Sequence, residues 1–231
     1  MKTMNLFCLP FAGGSKYSFN GFLKHTVPGL HIIPLELPGR GSRYGEGLQT
    51  AIDLLIKDIF ACIKERIDEP YAIYGHSMGS LLGYLLTLEI IKHKLNQPVH
   101  LFFTGCAGPS VKRNGLKRYL LPKDEFIDML RKMDAGTDEL LSSPEVMSVF
   151  EPILRADFQA VETYEHQPSE TLNIPIWVAI GTEEEITYEN AMAWQKETTE
   201  KVEVVQLAGK HFFIFDHEKE IIKSIAGKLF E

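Results

Sequence analysis

A serine, a histidine and a carboxylate that a fold can bring together are enough for acyl transfer, and this sequence offers such a set. Ser77 stands at the centre of Gly75-His76-Ser77-Met78-Gly79, His211 lies in Gly209-Lys210-His211-Phe212-Phe213, and Glu183-Glu184-Glu185 follows Gly181-Thr182. A serine hydroxyl is a weak nucleophile until a base takes its proton. An imidazole titrating near neutrality can take that proton and return it to a leaving group. A carboxylate is needed to fix the imidazole tautomer and stabilise its charged form. Of the 8 histidines, His211 alone sits in a loop directly after the last expected strand. His76 is read as packing or hydrogen-bonding locally, and His25, His31, His93, His100, His166 and His217 as surface groups. Which of Glu183, Glu184 and Glu185 would orient His211 stays open at this point. Asp216 is read as a cap for the last helix.

The elements around these residues give them their value. Tyr71-Ala72-Ile73-Tyr74 is an apolar strand and Leu81-Leu82-Gly83 opens an apolar helix, so Ser77 falls on a sharp strand-to-helix turn. Gly75 and Gly79 allow the close approach that such a turn requires. The helix N-terminus behind Ser77 favours negative charge. Acyl transfer also needs two backbone N–H donors for the oxyanion. Met78, next to the nucleophile, supplies one. The early loop Phe11-Ala12-Gly13-Gly14-Ser15, after the strand Asn5–Leu9, supplies the other from Ala12, with Phe11 as the neighbouring possibility. No Gly-Lys-Ser/Thr follows that loop, which disfavours a phosphate-binding role.

Strands at 31–37, 99–104, 174–180 and 202–207 alternate with helices at 48–67, from the Ser77 turn to about Leu95, and at 216–230. That alternation specifies a doubly wound, mostly parallel α/β sheet. Pro38-Gly39-Arg40-Gly41 places Arg40 either at the rim of the pocket or in a solvated loop. Residues 112–167 break the rhythm and read as an all-helical insertion, with a helix start at Ser143-Pro144 and a split at Pro152. Its apolar stripe either pads the core or forms a lid lined by Met129, Met133, Met147, Phe150 and Phe158. The order Ser, acid, His along the chain is that of the α/β-hydrolases.

Composition bounds the rest. The 231 residues suit one α/β domain, residues 1–231, and 45% hydrophobic content provides a core. A net charge of -7 argues against nucleic-acid binding. The absence of a leader or a long apolar run argues against a membrane. Three scattered cysteines, Cys8, Cys62 and Cys106, form neither a disulfide framework nor a metal motif, which fits a reducing cytoplasm. With no exposed seam or heptad, a monomer is expected.

The sequence resembles the type II thioesterases that accompany nonribosomal peptide and polyketide synthases. The resemblance rests on Leu6–Ser15, on Glu36-Leu37-Pro38-Gly39-Arg40-Gly41 and on the Ser77 pentapeptide. It continues in Leu154-Arg155-Ala156-Asp157-Phe158 with Glu162-Thr163-Tyr164, and ends in Gly209–Phe213. It implies Ser77 as nucleophile, His211 as base and, counting three residues from Gly181, Glu184 as the acid where the family normally has aspartate. It further implies hydrolysis of acyl thioesters on the 4'-phosphopantetheine arm of an acyl or peptidyl carrier protein, with no cofactor of the enzyme's own. Carrier proteins are usually acidic, and Lys112, Arg113, Lys117 and Arg118 form a basic edge on which one could dock. A solvated charge run is the plainer account of those four residues. A chain-releasing or general acyl hydrolase, and a non-catalytic binding module, are the competing readings.

Overall fold

The computed structural model of the chain describes residues 3–112, 115, 117–133 and 136–230. Six strands form one sheet: β1 (Met4–Leu9), β2 (Leu30–Pro34), β3 (Tyr71–His76), β4 (Leu101–Thr104), β5 (Ile176–Gly181) and β6 (Val202–Leu207). Their order is β2-β1-β3-β4-β5-β6, with every pair parallel. Among the described residues eight α-helices accompany them: α1 (Asn20–Lys24), α2 (Ile52–Ile63), α3 (Met78–Lys92), α4 (Lys123–Lys132), α5 (Asp138–Ser142), α6 (Pro144–Glu162), α7 (Tyr188–Met192) and α8 (Glu218–Phe230). This is the α/β-hydrolase arrangement. None of the described helices is long and apolar enough to cross a membrane.

A parallel sheet is covered on both faces, so its central strands must be apolar throughout rather than alternating. β3 and β5 are buried at every residue. On one face the core joins α2 and α3 to Phe7, Ile73, Phe103 and Val178. On the other, α8, Phe19 and Phe22 cover Leu6, Tyr74, Phe102 and Trp177. Because all six strands run the same way, the loops after β1, β3, β5 and β6 open on one edge. Such an edge is where open α/β sheets bind ligands. The loops there carry Phe11–Gly14, Ser77, Glu184 and His211.

The segment between β4 and β5 has a core of its own. Phe126 and Leu130 of α4, Leu141 of α5, and Met147, Leu154 and Phe158 of α6 pack together. The break expected at Pro152 is absent, and α6 runs unbroken from Pro144 to Glu162. An interior proline loses one backbone hydrogen bond and clashes with the preceding turn, at a cost of about 3 kcal/mol. Met147 on one side of it and Leu154 and Phe158 on the other bury against the same cluster, and that shared burial keeps the helix continuous. The start at Ser143 is as expected, its hydroxyl accepting from Val146 N at 3.3 Å.

Of the histidines expected at the surface, His100 is buried and His25, His166 and His217 are partly buried. His166 is partly buried, 3.5 Å from the buried Glu197. His100 is buried, stacked on Phe102 with ring centroids 4.2 Å apart, and its Nδ1 donates to Leu101 O. A histidine on a predicted strand edge reads as solvated only until its aromatic neighbour is seen to cover it.

Replacing Pro152 by alanine restores an N–H inside an otherwise continuous helix, while the unfolded chain gains freedom. The net expectation is a gain of about 2 kcal/mol, read from the denaturant midpoint. A lower midpoint would show that the ring itself packs favourably. Burial lowers the His100 pKa to about 4. The unfolded histidine takes up a proton near pH 6.5 and the folded one does not. His100 therefore has no effect on stability above pH 6.5 and reduces it by about 1.4 kcal/mol per pH unit below that, down to about pH 4. Denaturation midpoints measured from neutral to mildly acid pH should fall less steeply in His100→Phe, and equal slopes would contradict the assignment.

Candidate active site

Ser77 is held by a turn that few sequences can make. Its φ of 54° and ψ of -115° lie in a region that costs a non-glycine residue energy and persists only where the surroundings enforce it. The enforcement is visible on both sides. A Cβ on Gly75 would stand 2.2 Å from Gly79 O, and one on Gly79 would stand 2.1 Å from Leu9 O. Neither glycine can carry a side chain while α3 abuts β3 and β1 this closely. Ser77 N donates to Thr104 O at 2.8 Å, tying the turn to the neighbouring strand. Buried Ser80 hydrogen-bonds the same junction, its hydroxyl 2.9 Å from Gly75 O.

His211 completes the arrangement. Its Nε2 lies 3.0 Å from Ser77 Oγ and its Nδ1 lies 2.8 Å from Glu184 Oε2. An ionised carboxylate only accepts, so Nδ1 carries the proton and Nε2 is free to accept from the serine hydroxyl. The Glu184 side chain is 3% exposed, whereas Glu183 and Glu185 are exposed residues. The departure from aspartate has a structural answer. Glu184 curls back so that Oε1 accepts from Gly181 N at 2.7 Å, which takes up the extra methylene and aims Oε2 at the imidazole. Gly181 in turn has no room for a Cβ, which would lie 2.5 Å from Gly209 O. The loops after β5 and β6 are pressed together there, and the carboxylate is thereby brought to the histidine. Asp216 stands exposed in the turn before α8.

His76 packs as expected, but it also borders the site. It is fully buried, with its ring 4.9 Å from that of His211 and its Nδ1 3.0 Å from Thr104 Oγ1. Burial, with the neighbouring His211 charge adding to it, holds its pKa well below the usual imidazole value. A neutral ring thus stands beside the one that must accept a proton. Phe11 lies across from it, edge-on to His76, Phe212 and Phe215 at centroid distances of 5.7, 5.1 and 5.9 Å.

The loop after β1 is a tight turn closed by Gly14 N donating to Phe11 O at 2.9 Å. Among the described residues the amide N–H groups of Ala12 and Met78 meet no protein acceptor, which leaves both free for a ligand oxygen.

Other expected site residues lie elsewhere. Arg40 is neither at a pocket rim nor solvated. It is 2% exposed and pairs in a bidentate manner with Asp157, itself 0% exposed, at 2.5 and 2.7 Å. A buried charge requires a partner, and the partner comes from the distant helix α6. Met147 and Phe158 are buried in the core of the helical segment, and Met129 and Met133 pack against that core. Phe150 is 46% exposed. These five do not line one surface: four of them pack within or against the core that holds α4, α5 and α6 together, and Phe150 faces away from it. Arg118 is likewise engaged, with Nε 2.5 Å from Glu162 Oε1 and its guanidinium 4.8 Å from the Phe158 ring centroid. Lys112 and Lys117 are exposed, and Arg113 lies outside the described residues. Asp157, Thr104 and Ser80 were not singled out from sequence as site groups. For Asp157 a signal was present: one carboxylate between Leu154, Ala156, Phe158 and Ala160 on an apolar helix face.

A family model described as Thioesterase domain matches residues 4–229. The gramicidin S biosynthesis protein GrsT of Aneurinibacillus migulanus is 30% identical, the match covering 98% of this chain and 89% of that protein. The crystal structure of ClbQ from the colibactin NRPS/PKS pathway superposes with a TM-score of 0.94 at 27% identity, covering 99% of this chain and 97% of that one. The type II thioesterase BorB from the borrelidin biosynthetic cluster gives 0.90 at 29% identity, covering 98% and 93%.

The hydrogen-bonded series predicts graded reactivity of Ser77 toward a fluorophosphonate probe. Labelling should vanish in His211→Ala and slow by about 10³–10⁴-fold in Glu184→Gln. It should be unchanged in Glu183→Gln and Glu185→Gln. An equal loss in either of the last two would reassign the acid.

Proposed function

The chain belongs to the thioesterase family, and from that premise we propose that it is an editing, type II thioesterase serving a nonribosomal peptide or polyketide synthase. It removes misprimed or stalled acyl groups from the phosphopantetheine arm of an acyl or peptidyl carrier protein. The observation that carries this reading is the Ser77–His211–Glu184 chain of hydrogen bonds, set in a sequence similar along nearly all its length to proteins of such pathways.

The chemistry follows from the geometry. Ser77 Oγ attacks the thioester carbonyl as His211 Nε2 takes the hydroxyl proton, and Glu184 stabilises the resulting imidazolium. The carbonyl oxygen becomes an oxyanion facing the Ala12 and Met78 amides, where a preformed donor is worth about 3 kcal/mol. The C–S bond breaks, His211 protonates the departing pantetheine sulfur, and an acyl-serine remains. Water then gives its proton to His211 and its oxygen to the acyl carbon, and the free acid leaves with the proton returned to Ser77. Every group used is on the chain; the pantetheine belongs to the carrier.

We read the chain as one hydrolase domain in which residues 112–167 are a lid over the sheet edge. Exposed Lys112 and Lys117 beside the base of that segment offer positive charge to an acidic carrier, while Arg118 serves the fold through Glu162. Three free cysteines fit a protein that works in the reducing cytoplasm, and a monomer suffices for the chemistry.

The test is release of acetyl and longer acyl groups from a loaded carrier protein against the same groups on coenzyme A, with Ser77→Ala as control. The expected result is faster release from the carrier and none from the variant. Equal rates on both substrates would point to a general acyl-thioester hydrolase. Turnover of neither by a chain that still binds the carrier would favour a binding module.

A further inference from the structure

The buried pair Arg40–Asp157 touches a third element, the turn that carries the Ala12 amide. Asp157 Oδ2 accepts from Gly13 N at 2.7 Å as well as from Arg40, and Arg40 Nη1 lies 3.4 Å from Gly14 O. Leu154, one helical turn before Asp157 on the same face, closes on the same residue. Gly13 has a φ of +79°, and a Cβ there would stand 2.5 Å from Leu154 Cδ2. Helix α6 therefore presses an apolar and an ionic contact onto one glycine.

The consequence for Ala12 comes from peptide planarity. The Phe11–Ala12 peptide is planar, so its N–H points opposite to its C=O. That C=O accepts from Gly14 N inside the turn, which directs the Ala12 N–H outward. The next peptide, between Ala12 and Gly13, is fixed through its own N–H by Asp157. The turn abuts the start of α3, since a Cβ on Gly79 would lie 2.1 Å from Leu9 O and 3.0 Å from Pro10 O. The Ala12 amide is thus held from two sides, by the bond inside the turn and, one peptide further on, by a side chain on α6.

We infer that Arg40 and Asp157 are positioning residues for the oxyanion-binding turn: Asp157 orients the turn through the Gly13 amide, and Arg40 neutralises the carboxylate so that no negative charge faces the developing oxyanion. This rests on the thioesterase reading of the site. Neither residue touches the substrate. The role assigned to them is to keep the Ala12 donor aimed where charge develops, at a cost to the fold that an apolar pair would avoid.

The experiment separates positioning from folding and from the reading itself. Breaking the pair from one side strands a buried charge, so Arg40→Met and Asp157→Leu alone could fail to fold. The double variant Arg40→Met/Asp157→Leu replaces both partners with apolar groups and retains the fold. Its thermal transition and its Ser77 burial are checked first. Its kcat on an acyl thioester should fall about 100-fold with KM unchanged, as misplacement of a donor by about 1 Å implies. Affinity for a trifluoromethyl ketone analogue, whose adduct with Ser77 carries an oxyanion, should fall by the same factor. Affinity for a non-reactive thioether analogue should not change. Asp157→Glu or Arg40→Lys, which keep the charge pair, should restore part of the loss. A folded double variant with wild-type kcat and wild-type ketone affinity overturns the inference. Activity surviving in Ser77→Ala would instead overturn the reading of the site, so the two failures are distinguishable.

Discussion

The contact on which the site depends is the collision that would occur if Gly75 or Gly79 bore a side chain. A methyl at either position would fall 2.1–2.2 Å from a backbone oxygen, so only the bare backbone lets α3 begin where β3 ends. Everything at the nucleophile follows from that approach. Ser77 has no room to adopt an ordinary conformation and is held at positive φ, with its amide pinned to Thr104 O. Its hydroxyl then meets His211, while the amide of Met78 is left facing outward. The strain at one residue is sustained by a sheet buried on both faces, whose burial far outweighs it.

Charge at the sheet edge is arranged with similar economy. Glu184 is nearly buried, and its two oxygens are used by Gly181 N and His211. His76, next to His211, is kept neutral by burial, so it does not oppose the imidazolium that forms on proton transfer. A second carboxylate, Asp157, which binds the Gly13 amide, is matched by Arg40, both side chains being buried. In the proposed mechanism this leaves fixed amide dipoles and the N-terminal end of α3 to face the developing oxyanion. Such preorganised groups require no reorganisation when the charge appears.

Much of this was legible in the sequence because it is local. The elbow and the strand-end loops each depend on residues close in the chain, and although Ser77 and His211 are 134 positions apart, the strand–helix alternation puts both loops on one edge without their contact having to be read from the sequence. What escaped depends on pairings across long separations. Arg40 and Asp157 are 117 positions apart, and nothing near Arg40 announces that it is buried. Pro152 misled for a related reason, since a local rule about proline was overridden by burial on both sides of it. The five expected lid residues misled because a stripe at helical spacing reports that a face is covered without reporting by what. Glu184 was the intermediate case. Its position could be counted from Gly181, yet the hydrogen bond that accommodates the longer side chain required the coordinates.

The same long-range contacts constrain how the helical segment can move. From Leu154 onward, α6 is tied to the sheet side by the Leu154–Gly13 contact, by the Asp157 pair and by Ala160 in the sheet core. Met147, before Pro152, and Leu154 and Phe158, after it, also share the segment's separate cluster with Leu141 and the α4 residues. A rearrangement of the segment that left the Ala12 turn in place would have to bend α6 near Pro152, where one backbone hydrogen bond is already missing, and also part Met147 from Leu154 and Phe158. A rigid swing of the whole helix would pull Asp157 from Gly13 and so disturb the turn to which the proposed mechanism assigns the Ala12 donor.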